Sequence, residues 1–236
     1  MMPHNIEQDT WKHMAGTEAA KLVEDGMVIG LGTGSTAAHL VYALAQRVRS
    51  GLRIVGAVAT SQATHDLADS LGIPMSDIDT HPELDLYIDG ADEVDPRLRL
   101  IKGAGGALLR EKVVASISHR FTVIADITKQ VQLLGTHAPV PVEVTPFAIT
   151  PVRKRLEALG AQVQLRQINA SPFITENKNI ILDCTFSDGI AHPDELDARI
   201  HRIVGVVETG LFLRMAQQAI IAGPQGIQLL TWQADT

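Results

Sequence analysis

The chain has 236 residues, 45% hydrophobic and 20% charged, with a formal net charge of -7. That composition supplies apolar surface for one sizeable core and a second smaller one, which excludes a disordered chain. The acidic balance, with lysines and arginines scattered along the sequence, argues against nucleic acid or an anionic membrane as partner, and the single cysteine, Cys184, rules out an intrachain disulfide or a cysteine zinc cluster and suits the reducing cytoplasm. The N-terminal "MMPHNIEQDTWKHM" lacks the apolar core of a signal peptide, and no stretch reaches the ~18 apolar residues of a membrane-spanning helix.

From Gly26 the chain alternates β-branched runs with helical stretches: "MVIGLG", then "TAAHLVYALAQRV" with Leu40, Leu44 and Val48 on one side, then "LRIVGAVA". This βαβ rhythm predicts a parallel sheet covered on both faces. It continues through "HDLADSLG", strands at 84–88 and 97–101, a helix from about Ala107 to Ser118, and "FTVIA" at 121–125. The proline-rich "GTHAPVPVEVTP" suits a domain crossing. Beyond it come a strand "VEV", a helix from Thr150-Pro151 to Gly160, strands "AQVQLR", "FIT" and "NIILDC", a helix after His192-Pro193, and "VVETGLF". That β-α-β-β-α-β order is ferredoxin-like. The tail "QAIIAGPQGIQLL" reads as a hairpin returning to the first domain. The expected architecture is α/β: a Rossmann-like domain of residues 1–134 plus 208–236, and a smaller ferredoxin-like α+β domain of 135–207.

Ligands bind at the carboxyl ends of strands in such sheets, and three unusual loops fall there. The first, "GLGTGST" from Gly30 to Thr36, is neither a Walker A loop nor GxGxxG. Its glycines expose amides, and Ser35 and Thr36 place hydroxyls at the positive end of the next helix, suited to a small phosphate. An ordinary N-cap at Ser35 or Thr36 fits equally well. The second, "DGADEVD" from Asp89 to Asp95, is either a solvated turn or a site in which Asp89 and Asp92 accept sugar hydroxyls; paired acids also suit magnesium. No HxH or HExxH spacing links the nine histidines, so they offer no metal motif.

The third loop, "IKGAGGALLREK", sets Lys102 at a strand end beside exposed amides, where an ammonium can stabilise a developing oxyanion. Glu111 lies in the helix that follows. With Leu109, Val113 and Ile117 as the apolar stripe, Glu111 points nearly opposite, and periodicity alone makes it a surface glutamate.

Together these segments resemble the ribose-5-phosphate isomerase family of type A. "GLGTGSTAAHL", "YIDGADEVD", "LIKGAGGALLREK", "IADITKQV" and "PVPVEV", then "GVVETGLF", stand in the family's order and close to its spacing. The resemblance implies interconversion of D-ribose 5-phosphate and D-ribulose 5-phosphate without metal or organic cofactor. It implies Glu111 as the base moving a proton between C2 and C1, with Lys102 and Asp89 assisting ring opening and steadying the enediolate. For substrate binding it implies Thr33, Gly34, Ser35 and Thr36; Asp89, Gly90, Ala91 and Asp92; Lys102, Gly103, Ala104 and Gly105; and the lysines Lys129 and Lys12. A homodimer or homotetramer is implied as well. Some members of the family place glycine where this chain has Ala104, which is expected to avoid positive φ.

The chemistry is coherent with these residues. Aldose–ketose conversion abstracts a weakly acidic proton beside a carbonyl, so a base must work next to a group that stabilises the enediolate. A carboxylate near its reference pKa of about 4.3 is a poor base at neutral pH, so burial by substrate is expected to raise it. Two rivals stand beside this reading: an amino-sugar phosphate deaminase, which would need a catalytic histidine, and a sugar-phosphate-sensing module, which would need a DNA-binding segment.

Overall fold

The computed structural model describes residues 6–232. Along the chain come α1 (Ile6–Ala20), β1 (Val28–Leu31), α2 (Ser35–Arg49), β2 (Gly56–Ala59), α3 (Gln62–Ser70), β3 (Leu86–Gly90), β4 (Glu93–Val94), β5 (Leu100–Ile101), α4 (Leu108–Ser116) and β6 (Phe121–Asp126). After a 3-10 turn at Ile127–Lys129 follow β7 (Val140–Val144), α5 (Ile149–Glu157), β8 (Gln162–Leu165), β9 (Gln167–Ile168), β10 (Ser171–Pro172) and β11 (Ile180–Thr185). The chain closes with α6 (Pro193–His201), β12 (Val206–Thr209), β13 (Leu211–Phe212), β14 (Gln218–Gly223) and β15 (Gly226–Thr231).

Contacts divide the chain into two compact units. The first takes the chain up to Ala91, Arg110–Lys129 and the segment from Met215; the second takes Asp92–Leu109 and Gln130–Arg214. These boundaries differ from the expected 134/135 and 207/208 chiefly at 92–109. The reason is strand pairing: β4 and β5 pair antiparallel with each other, and β5 pairs with β13. The strand expected at 97–101 thus joins a small separate sheet and not the parallel one.

In the first unit, six strands form a sheet in the order β15-β14-β6-β3-β1-β2. All neighbours are parallel except the terminal hairpin of β14 and β15. β1 and β6 are buried at every position, which is why they read as continuous apolar runs without alternation. Leu31, Leu40, Leu44, Ile73 and Ile124 lie in its core. The chain leaves β1 on one side for β2 and returns on the other as β3, so the strand order reverses between β1 and β3. A crevice opens at the carboxyl ends of the strands at such a switch point.

Helix α1 has no counterpart in the sequence reading. Its buried positions are Ala15, Gly16, Ala19 and Ala20, small residues that give no strong hydrophobic period. Small size is what the packing needs: a Cβ on Gly16 would lie 2.6 Å from the backbone nitrogen of Leu40 in α2.

In the second unit, β7-α5-β8-β11-α6-β12 forms an antiparallel sheet ordered β12-β7-β11-β8, the ferredoxin-like arrangement. Val142, Val144, Val152, Leu156, Leu182 and Ile200 fill its core. The expected strand "FIT" contracts to one bridge between Ile174 and Ile180, and β9 and β10 form a short hairpin just before it.

His201 ties the end of α6 to β12. Its Nε2 is 2.9 Å from Glu208 Oε1, and its Nδ1 is 2.9 Å from the Asp197 carbonyl oxygen and 3.4 Å from Asp197 Oδ2. Acceptors at both ring nitrogens favour the imidazolium, and Asp197 and then Glu208 push its pKa up to about 10 from 6.5. A raised folded-state pKa contributes stability that is complete below the unfolded value and lost as pH rises through the folded one. The stability difference between wild type and His201→Gln, measured by urea unfolding, is therefore expected to be constant below pH 6.5 and to shrink toward pH 10.

Candidate active site

In the first unit the crevice gathers the loops that follow β1, β2 and β3. Asp89, fully buried near the end of β3, accepts from the backbone N–H of Thr33 at 3.0 Å and of Gly90 at 2.6 Å through Oδ1. Its Oδ2 accepts from the hydroxyl of Tyr87, which is also fully buried and stacks on Phe121 with ring centroids 4.6 Å apart. Burial, then the charges of Asp89 and Glu111, raise the Tyr87 hydroxyl well above its ordinary pKa, so it remains a proton-bearing donor. Gly32 makes room for this carboxylate: a Cβ there would fall 1.8 Å from Asp89 Oδ1.

A run of hydroxyls shapes the floor beneath the first loop. Thr33 Oγ1 lies 2.8 Å from Thr60 Oγ1 and 2.9 Å from Ser61 Oγ, and Thr64 Oγ1 donates to the Gly32 carbonyl oxygen at 3.0 Å. Gly34, with φ 109°, is the N-cap of α2, and no side chain caps that helix. Neither Ser35 nor Thr36 is therefore the N-cap considered from sequence. Gly34 and Ser35 are exposed, and Lys12 from α1 donates to Ser35 Oγ at 3.1 Å. The result is an open helix N-terminus with an ammonium beside it, a site for an anion. Lys129 ends the turn directly after β6, the strand beside β3, at the same carboxyl edge. Gly90 and Ala91 continue from β3, half-buried.

Glu111 overturns its periodicity reading. Leu108, Glu111, Val114 and Ala115 make the buried face of α4, and Glu111 is 3% exposed. Val113, assigned to the apolar stripe, is 38% exposed. The burial expected from bound substrate is thus built into the fold.

In the second unit Lys102 follows β5 and is 2% exposed, its Nζ 5.3 Å from the Phe212 ring centroid, a cation–π distance. Its backbone N–H donates to the Gly210 carbonyl at 2.9 Å. Gly103 and Gly106 take φ of 104° and 84°, while Ala104 stays out of that region, as expected. Ala104 and Gly105 are exposed, and Asp92 Oδ2 accepts from the Ala104 N–H at 2.9 Å.

The acidic loop is not a solvated turn. Besides Asp89, both Glu93 and Asp95 are buried. Glu93 accepts from the N–H groups of Gly135, His137 and Ala138 at 2.5–2.8 Å, and Asp95 from those of Arg97 and Arg99 at 2.9 Å. Asp89, Asp92, Glu93 and Asp95 thus commit oxygens to peptide N–H groups, and among the described residues no group of three or more His, Cys, Asp or Glu is placed to hold a metal ion. Sequence reasoning missed Tyr87, Thr60 and Ser61. Tyr87 had a signal, since residues two apart on a strand share a face.

The family model of ribose 5-phosphate isomerase A (phosphoriboisomerase A) matches residues 56–226. The chain belongs to the ribose 5-phosphate isomerase A family. It is 52% identical over 227 residues to the ribose-5-phosphate isomerase A of Gloeobacter violaceus, covering 96% of this chain and 98% of that one. It resembles the crystal structure of ribose 5 phosphate isomerase A from Neisseria gonorrhoeae with a TM-score of 0.89 at 38% identity, over 96% and 98% of the two chains. A D-ribose-5-phosphate isomerase solved in complex with phospho-erythronic acid is similar at TM-score 0.91 and 37% identity, over 94% and 98%. No helix among the described residues is long and apolar enough to cross a membrane.

For this isomerase-family chain, the close approach of Gly32 to Asp89 yields a test. Gly32→Ala is expected to push the Asp89 carboxylate off its amides and lower kcat on ribose 5-phosphate by about 100-fold, since displacement of about 1 Å has that effect. Circular dichroism would check that the variant remains folded.

Proposed function

We propose how this chain performs its family's reaction. It is an aldose–ketose isomerase interconverting D-ribose 5-phosphate and D-ribulose 5-phosphate through an enediolate, in the non-oxidative branch of the pentose phosphate pathway. In this reading Glu111 takes the proton from C2 of the open-chain aldose and returns it to C1 while the hydroxyl proton passes from O2 to O1, moving the carbonyl from C1 to C2. Lys102 stabilises the oxyanion as it develops. Asp89 assists ring opening. Thr33, Gly34, Ser35 and Thr36 hold the phosphate with Lys12, and Gly90, Ala91, Asp92, Gly103, Ala104, Gly105 and Lys129 contact the sugar phosphate.

The observation that carries the assignment is the burial of Glu111. A carboxylate occupies an inward position of α4 between Leu108 and Val114, where packing alone would favour an apolar side chain. A relative's ligand supports the chemistry: phospho-erythronic acid is a sugar acid phosphate whose planar, negatively charged carboxylate resembles in charge and planarity an enediolate, although the enediolate carries its two oxygens on adjacent carbons. A fixed ammonium at Lys102 can supply the electrostatic stabilisation a metal would otherwise give, so the reaction is proposed to need no cofactor. A cytoplasmic homodimer, or a homotetramer, completes the proposal. The association, as distinct from the location, is supported by Phe147 and Val204, 100% and 88% exposed in the second unit, with the Thr145 N–H donating to the Gly205 carbonyl at 3.0 Å beside them.

Glu111→Gln removes the proton carrier while keeping its shape. In a coupled assay kcat is expected to fall by about 100- to 10,000-fold, with KM within about threefold; turnover near wild type would reassign the base. Exhaustive chelation during the same assay is expected to leave the wild-type rate unchanged, whereas a loss restored by magnesium would revive the metal reading of Asp89 and Asp92.

A further inference from the structure

Lys102 sits on a loop that its own sequence leaves loose. Gly103 and Gly106 both adopt positive φ, and Ala104 and Gly105 between them are exposed. Such a run gains much backbone freedom when released. Burial and the Phe212 ring confine the Lys102 side chain, and the backbone beneath it sets where its four-carbon stem starts.

Within the second unit that backbone is held from about sixty residues further along the chain. Arg166, between β8 and β9, is clasped by Asp183 of β11: Nε donates to Oδ2 at 2.9 Å and Nη2 donates to Oδ1. The pair is largely buried, with side-chain exposures of 14% and 20%. The Arg166 N–H donates to the Ile181 carbonyl at 2.9 Å, so the backbone of the clamp is pinned to β11 as well. With Nε and Nη2 engaged by Asp183, Nη1 reaches the Gly103 carbonyl at 2.7 Å and the Ala104 carbonyl at 3.0 Å. These belong to the two residues that follow Lys102.

The same segment closes the far end of the loop. The Phe173 N–H donates to the Arg166 carbonyl at 2.9 Å, and the Phe173 ring lies where a Cβ on Gly106 would fall, 2.4 Å from two ring carbons. On the near side Gly210 abuts Lys102, with room for no side chain: a Cβ there would lie 2.3 Å from the Lys102 carbonyl oxygen. A planar guanidinium can grip a carboxylate with two donors and still extend a third toward carbonyls. A lysine in its place has a single nitrogen and cannot do both with the same geometry.

We propose that Arg166 is a positioning residue for the isomerisation: clasped by Asp183, it fixes the Gly103 and Ala104 carbonyls and thereby the direction in which Lys102 presents its ammonium. This rests on the oxyanion-stabilising role given to Lys102 above. Arg166 touches no reacting atom in this account. Its contribution is transmitted through Lys102, and that sets it apart from an arginine that only stabilises the β8–β11 pairing.

The experiment compares wild type, Arg166→Lys, Lys102→Met and the double variant. It measures kcat and KM with ribose 5-phosphate, the kinetic isotope effect with substrate deuterated at C2, and the melting temperature. Arg166→Lys is expected to lower kcat by about 10- to 100-fold, the scale of a small misplacement, with KM nearly unchanged and a larger isotope effect, because proton transfer then limits turnover more completely. In the Lys102→Met background the same substitution is expected to have no further effect on kcat, the non-additivity of residues acting as a unit. Asp183→Asn, which keeps the arginine but weakens its clasp, is expected to give the same pattern at smaller amplitude and serves if Arg166→Lys does not fold. Wild-type kcat in the clamp variants, or equal fold losses with and without Lys102, overturns the clamp alone. Wild-type turnover of Lys102→Met overturns the role of the lysine and the clamp with it.

Discussion

A carboxylate removed from water must find hydrogen-bond donors or lose several kcal/mol. Asp89, fully buried at the end of β3, meets this demand with the N–H groups of Thr33 and Gly90 and the hydroxyl of Tyr87. Much of the first unit's crevice follows from that one arrangement. Gly32 must lack a side chain because the carboxylate occupies its space. Thr33 must point its amide toward Asp89 of β3, and Gly34 directly after it is the N-cap of α2. Tyr87 must be buried to reach Asp89, and its ring is accommodated by stacking on Phe121.

The second unit meets a different demand. Its lysine loop has few side chains of its own to pack, so it is held by neighbours: Asp92 at the Ala104 N–H, Arg166 at the carbonyls of Gly103 and Ala104, and Gly210 against Lys102. Glu93 and Asp95 order the surrounding backbone by accepting from five N–H groups between them. Acids that look alike in "DGADEVD" therefore divide into a crevice carboxylate, a loop tether and two buried backbone anchors. Their local composition carries no trace of the division, because Asp95 is satisfied by amides two and four residues on whereas Glu93 is satisfied by amides more than forty residues away and Asp89 in part by that of Thr33.

Much of the fold was legible because β1, β3, β6 and β14 of the first unit are buried along almost their whole length and announce themselves as apolar runs, and because the β-α-β-β-α-β order of the second unit follows from hydrophobic period and turn residues. Helix α1 was not legible, since Ala15, Gly16, Ala19 and Ala20 bury little apolar area each. The strand at β5 was legible but its sheet was not, since two residues of strand carry no information about their partner. Among site residues, Asp89 and the first glycine loop could be located from strand ends alone.

By itself the sequence determined the family, the parallel sheet with its second ferredoxin-like unit, and the loops at the strand ends, because motif order, hydrophobic period and glycine placement are properties of the chain read locally. Only the tertiary structure decided which face of α4 turns inward. Periodicity sent Glu111 to solvent and Val113 to the core, and packing reversed both. It also decided that Tyr87 holds Asp89 and that Arg166 holds the lysine loop. The physical reason is that burial and polar satisfaction are decided by what packs against a residue: the inward face of α4 is set by the elements it meets, Tyr87 reaches Asp89 only because β3 is buried, and Arg166 meets Gly103 across 63 residues of chain.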